Sequence, residues 1–298
     1  MGLGMAQSLR RAGFVPHVFD LRAEAAQAFA REGGGVACAS LAELAARCSV
    51  VVSVVVDAQQ TEAVLFGKDG AEGVAAHLAR ASVFVMCSTV DPRRSVDFEE
   101  RLAAIGIHYL DAPISGGAAR AASGQITMMT AGRPEAYARA AGVLDAMAAK
   151  VYRLGDAAGA GSTIKVINQL LAGVHIAAAA EAMALGLREG VDAEALYEVI
   201  THSAGNSWMF ENRMAHVLVG DYTPLSAVDI FVKDLGLVLD MARASRFPLP
   251  LSSTAHQMFL QASSSGHGRE DDSAVIKIFP GITLPGGKPD DEETAWTS

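Results

Sequence analysis

The stretch GAGSTIKVINQ (159–169) places Lys165 and Asn168 about one turn apart on any helix it forms. A lysine amine accepts a proton only when it is neutral. Burial among apolar groups, or closeness to other cations, can lower its pKa enough for that. Ile164, Val166 and Ile167 are the apolar neighbours in sequence. Two other stretches end apolar runs: CSTVDP (87–92) with Ser88-Thr89, and DAPISGG (111–117) with Ser115-Gly116-Gly117. Glycines let backbone N–H groups approach an anion closely. A further pair, Lys233-Asp234, sits in FVKDL. Each has a plainer reading taken alone. Ser88-Thr89 could cap a helix, Ser115-Gly116-Gly117 could be a turn, Lys165 a solvated charge, and Lys233-Asp234 a surface ion pair.

The N-terminus, MGLGMAQSLRRAGF, raises a question of register. A dinucleotide loop reads G-x-G-x-x-G between a strand and a helix. If Gly2 and Gly4 were its first two glycines, the third would fall on Gln7, and no strand precedes them. The spacing instead makes Gly2 the third glycine, with Met5, Ala6 and Leu9 on one face of the following helix and Gly13 ending it. A strand then closes on Asp20, where a Rossmann unit holds the adenosine ribose hydroxyls. A carboxylate there accepts from two hydroxyls and repels a 2′-phosphate, so Asp20 predicts NAD over NADP; Arg22 nearby works against that preference.

These residues need a frame of strands and helices. Apolar runs at 14–20, 49–56, 82–89, 107–113, 125–132 and 150–155 alternate with amphipathic stretches, which predicts a parallel sheet covered on both faces. The run at 49–56 reads as fully buried. From about Ser162 to Glu189 the pattern becomes one long Ala/Leu-rich helix, read as buried rather than membrane-spanning because it carries His175 and Glu181. VDAEALYEVI (191–200) follows, with Asp192 as N-cap and Ala195, Leu196, Val199 and Ile200 on one face; a further helix is expected over 226–245. The expected fold class is therefore an α/β Rossmann-type domain, N-terminally truncated, followed by an all-α domain. The expected boundaries are 1–157, 158–286 and a disordered acidic tail at 287–298.

Composition narrows the function classes. The chain has 298 residues, is 51% hydrophobic and carries a formal net charge of −9. That charge argues against a nucleic-acid partner, and no secretory apolar stretch opens the chain. Cys38, Cys48 and Cys87 are scattered, without the paired spacing of a zinc site or disulfide framework, which suits a reducing cytoplasm and no metal. Cys87, ending an apolar run, reads as a buried structural thiol.

Taken together, MGLGMAQSLRRAG, CST, DAPISGG and GAGSTIKVIN resemble the β-hydroxyacid dehydrogenase family, of the 3-hydroxyisobutyrate dehydrogenase kind. Its patterns are M-G-x-x-M-A-x-x-L-x-x-A-G, D-x-S-T, D-A-P-V-S-G-G and G-x-G-x-x-x-K-x-x-N. HIAAAAEAMAL, AGNSWMFENRM, GDYTPLSAVDIFVKDLGLVLD and REDDSAVIKIFPGITLP are similar to the branch acting on the four-carbon sugar acid L-threonate.

The resemblance implies NAD-dependent oxidation of that acid at C2 to the 2-oxo acid. It implies Lys165 as the catalytic lysine, Ser115, Gly116, Gly117 and Asn168 on the substrate, and Gly2, Asp20, Thr89 and Lys233 on the cofactor. It also implies that Asn206, Trp208 and Phe210 wall the substrate pocket, and that the chain forms a homodimer or homotetramer. That branch has Asn-Ala-Ala-Gln where this chain has Asp57-Ala58-Gln59-Gln60, which brings a negative charge towards the cofactor channel.

The same alignment expects roughly ten family residues, the first strand and two loop glycines, to be missing ahead of Gly2. A start lying upstream, with Met1 internal, is favoured over a defective enzyme because the downstream motifs are intact. Rival readings are another acid of the same family (3-hydroxyisobutyrate, glycerate or tartronate semialdehyde) and a non-catalytic dimerisation module.

Overall fold

The computed structural model describes residues 1–286; the tail expected at 287–298 lies outside them. The chain divides into two compact units, Met1–Val166 and a second beginning at Ile167. In order the elements are α1 (Gly2–Arg11), β1 (His17–Val18), α2 (Ala23–Arg31), β2 (Val36–Ala37), α3 (Leu41–Arg47), β3 (Val50–Ser53), α4 (Ala58–Phe66), β4 (Val83–Met86), α5 (Pro92–Ala104), β5 (His108–Asp111), β6 (Ile114–Ser115), α6 (Gly117–Ser123), β7 (Ile126–Thr130), α7 (Pro134–Met147) and β8 (Ala148–Arg153). Then come α8 (Ala160–Arg188), α9 (Ala193–Thr201), α10 (Trp208–Val219), α11 (Val228–Ser245) and α12 (Pro250–Ala262). A 3-10 turn, Asp272–Ile278, follows.

The first unit is built as the alternating pattern predicts. β3, β4 and β5 form a parallel sheet, Val50 opposite Val83 and Val83 opposite His108. Successive side chains of β4 go to opposite faces. Val83 and Val85 join a core with Met5, Leu110, Ala121 and Leu144. Phe84 and Met86 join another with Leu44, Leu65, Phe98 and Tyr109. All four β4 residues are fully buried, as a central parallel strand requires.

The structure differs from the pattern in three places. β3 is four residues long and only its alternate residues, Val51 and Ser53, are buried, so the 49–56 run is not buried on both faces. β6 runs antiparallel to β7, while β7 and β8 are parallel, so one pair departs from the all-parallel expectation. β1 and β2 pair with each other as a separate two-stranded sheet.

Gly4 acquires a role that spacing alone did not reveal. A Cβ there would stand 2.7 Å from the Ala122 backbone nitrogen, so glycine is what lets α1 press against α6. Arg11 then donates to the Ala122 carbonyl, and Ser8 Oγ donates to the Ala146 carbonyl at 2.6 Å.

Beyond β8 the described elements are helical, and the two units meet in sequence inside α8. Length and composition alone would let α8 cross a membrane; 44% of its most apolar window is buried within the protein, and His175 and Glu181 are exposed. Asp192 caps α9 as expected, its Oδ1 accepting the Ala195 N–H at 2.9 Å. The buried face of α9 is set differently from the expected one: Ala193 is buried and Leu196 and Ile200 half-buried, while Ala195 and Val199 face solvent.

In the second unit α10 carries Arg213, whose guanidinium forks onto the fully buried Asp272 of the 3-10 turn. Asp271 beside it accepts from Ser273 Oγ at 2.7 Å and pairs with His216 Nδ1 at 3.1 Å. These buried charges form the knot that ties the 3-10 turn to α10.

Candidate active site

Lys165 lies in the second turn of α8 and is 7% exposed, with Val166 buried beside it and Ile164 largely exposed. The start of this helix is capped from a distance. The Asp111 carboxylate, at the end of β5, accepts the Gly159 N–H (2.9 Å), the Ser162 N–H (2.9 Å) and the Ser162 hydroxyl (2.6 Å). Burial pushes the Asp111 pKa up, and these donors pull against that shift. Its neighbour Cys87 is buried too, and its thiol is pushed up by burial first and by Asp111 second, in keeping with a structural thiol.

The same strand end leads into the 115–117 turn. Ser115 and Gly116 are half-buried and Gly117 is exposed at the start of α6. Gly116 and Gly117 have φ of +134° and +77°, a region open chiefly to glycine. No heavy atom stands within 4 Å of where a Gly117 Cβ would be, so the backbone there is free to be approached. At the end of β4, Ser88 is buried and its Oγ accepts from Thr61 Oγ1 at 3.1 Å; Thr89 is half-buried.

In the second unit Asn168 and Lys233 are linked through Gln169, which the sequence did not single out, and Asp234, which it noted only as the partner of Lys233. Asn168 Nδ2 donates to Gln169 Oε1 at 3.0 Å, and Gln169 Nε2 donates to Asp234 Oδ2 at 2.6 Å. Lys233 Nζ lies 2.8 Å from Asp234 Oδ1. Asp234 is 2% exposed, so Lys233-Asp234 is a pair with a buried carboxylate rather than a surface ion pair. Of the expected pocket wall, Phe210 is buried against Tyr197, Asn206 Nδ2 donates to the Thr201 carbonyl at 3.0 Å, and Trp208 is 54% exposed.

At the N-terminal end α1 begins at Gly2, after Met1. Gly2 packs near Val54, 3.5 Å from its would-be Cβ. Asp20 is exposed just past β1, and its Oδ1 accepts the Arg22 N–H at 2.8 Å. Asp57 proves to be the N-cap of α4, accepting the Gln60 N–H at 2.7 Å, while Gln60 Oε1 accepts from Val56 N. This reciprocal pair gives Asp57 a structural job, and the Asp-x-x-Gln spacing was the available signal.

A family model for the NAD-binding domain of 6-phosphogluconate dehydrogenase matches residues 1–155. A second, for NAD-binding of NADP-dependent 3-hydroxyisobutyrate dehydrogenase, matches 159–279. L-threonate dehydrogenase of Cupriavidus necator is 68% identical over 286 residues, which is 96% of this chain and 95% of that protein. The chain belongs to the 3-hydroxyisobutyrate dehydrogenase-like family. L-threonate dehydrogenase of Escherichia coli K12 is 52% identical, over 97% of this chain and 94% of that protein. A solved 3-hydroxyisobutyrate dehydrogenase from Salmonella typhimurium superposes with a TM-score of 0.88 at 53% identity, covering 93% of this chain and 96% of that one.

The chain is thus an NAD-dependent hydroxyacid dehydrogenase with a Rossmann-like first half and a helical second half, as the resemblance implied.

Proposed function

We propose that this dehydrogenase oxidises L-threonate at C2 to the 2-oxo acid, with Lys165 as the general base. The observation that carries the mechanism is a lysine 7% exposed, near the start of a helix anchored by Asp111. NAD, when bound, would supply the acceptor for the C2 hydride. The hydroxyl proton passes to the Lys165 amine, and the carbonyl forms. Ser115 and the backbone of Gly116 and Gly117 receive the substrate carboxylate; both glycines have positive φ, and open space lies beside Gly117. Asn168 holds a substrate hydroxyl, its amide fixed by Gln169. Gly2, Asp20, Thr89 and Lys233 hold the cofactor.

L-threonate is favoured over 3-hydroxyisobutyrate by the name of the relative at 68% identity, which the Escherichia coli protein at 52% shares, although the solved structure at 53% carries the name 3-hydroxyisobutyrate dehydrogenase. A polar pocket rejects acids that leave its groups unpaired. The test is a panel of four-carbon sugar acids with 3-hydroxyisobutyrate, glycerate and tartronate semialdehyde, each with NAD and with NADP. The expected result is highest kcat/KM for L-threonate with NAD. A higher value for 3-hydroxyisobutyrate would overturn the substrate reading. Equal efficiencies with NAD and NADP would overturn the role of Asp20.

We place the enzyme in the cytoplasm, on the strength of three free thiols at Cys38, Cys48 and Cys87. We also propose a homodimer or homotetramer. Ile164, Ile167, Leu171 and Leu185 form an exposed apolar stripe along α8, which a second copy would cover. Sedimentation equilibrium is expected to give a multiple of the chain mass; a single-chain mass at micromolar concentration would refute the assembly.

A further inference from the structure

We propose that Asp111 is a positioning residue for Lys165: its buried carboxylate fixes the first turn of α8 to the end of β5 and so sets where the lysine amine stands relative to the 115–117 turn. This rests on reading Lys165 as the base.

The geometry leaves α8 little freedom at this point. Asp111 is itself held at both backbone groups, its N–H donating to the Ala131 carbonyl at 3.0 Å and its carbonyl accepting the Ala131 N–H at 2.8 Å. Its side chain then takes three donors from the 159–162 segment. Gly159 turns its N–H towards the carboxylate with φ +108°. A Cβ on Gly161 would stand 2.5 Å from the Met129 carbonyl oxygen and 3.0 Å from that of Asp111, so the helix rests directly on strand backbone.

A local Ser or Asp cap would satisfy the same N–H groups and leave the helix free to slide over the sheet. A cap borne by the strand removes that freedom, and a carboxylate suits the positive end of the helix. Lys165 follows Ser162 by three residues, about 4.5 Å of helix rise, so a shift at the anchor reaches the amine almost undiminished. Ser115 follows Asp111 by four residues. The same side chain therefore holds the register between the anion-receiving turn and the base. A displacement near 1 Å at a reacting centre can lower a rate about a hundredfold.

Asp111→Asn keeps the shape and one acceptor oxygen but presents an amide N–H₂ to donors. The expected result is a kcat lower by roughly ten- to a hundredfold, with KM and NAD affinity within about twofold of wild type. In a Lys165→Ala background the same change is expected to add no further loss. A merely structural role would multiply losses in both backgrounds and lower the melting temperature in step. Hydrogen exchange gives a readout without turnover: the Gly159 and Ser162 amides are expected to exchange faster, while those of β4 do not change.

A folded Asp111→Asn enzyme with wild-type kcat overturns the proposal. If that variant fails to fold, Ser162→Ala, which removes only the 2.6 Å hydroxyl bond, decides. A lowered kcat with faster exchange at Gly159 upholds the proposal, and wild-type values for both overturn it. Normal turnover in Lys165→Ala alone would remove the base reading and this one with it. An inactive Lys165→Ala beside a normal Asp111→Asn removes only this one.

Discussion

A Lys165→Ala variant is expected to lose turnover by about a hundred- to ten-thousandfold, the range for removing a positioned acid–base group, while NAD still binds. Lys165 is 7% exposed, yet it lies near the start of a helix whose other first-turn groups are tied to Asp111. Alanine is the best helix former, so the change leaves the anchor intact and the loss is chemical. Lys165→Arg separates charge from proton transfer. Its guanidinium keeps a positive charge but does not release a proton at working pH, so it too is expected to be inactive. Steady-state kinetics and NAD titration by fluorescence check both. Near-normal kcat in the alanine variant would take the lysine out of the mechanism.

The largest expected effect on stability is at Arg213→Ala, about 3–5 kcal/mol at pH 7, the usual cost of breaking a buried ion pair. Arg213 is 8% exposed and Asp272 fully buried. Burial pushes the Asp272 pKa up to about 6, with Arg213 opposing the shift. A carboxyl whose pKa in the folded state exceeds its unfolded value favours folding while protonated and loses that contribution as pH rises through the folded pKa.

At pH 7 the wild-type Asp272 is therefore largely ionised and paired; without the guanidinium that opposes the upward shift its pKa rises further, so the alanine variant must either protonate the carboxyl or bury its charge unpaired. Near pH 4.5 the carboxyl is protonated in both proteins, so the difference between them shrinks. Urea unfolding at the two pH values checks this. An equal loss at both would mean that packing, not charge, sets the cost.

What was legible in the sequence was what repeats or matches a motif. β4 declared itself because four consecutive apolar residues fill both faces of a central strand. The two-residue strands β2 and β6 did not, since two residues carry no period. Lys165, Asn168 and the 115–117 turn were legible as types at a spacing, and Asp192 as a cap.

Asp111 was quoted only as the first letter of DAPISGG. Its partners lie 48 and 51 residues away, and no local pattern encodes that distance. Arg213 and Asp272 drew no notice as a pair, because pairing and burial across 59 residues are decided by tertiary packing. Gln169 and Asp234 adjoin residues with assigned roles, and their part as the link between those residues appears only once side chains are placed.

The continuity of α8 has a mechanical consequence. The two compact units change over after Val166, near the start of an unbroken 29-residue helix without a proline. A helix of that length is a stiff rod about 44 Å long. Lys165 and Asn168 stand on either side of the changeover yet on the same rod, so their spacing is a property of one secondary element. The separation of these two residues is set by the pitch of α8 alone, whatever either unit does around it.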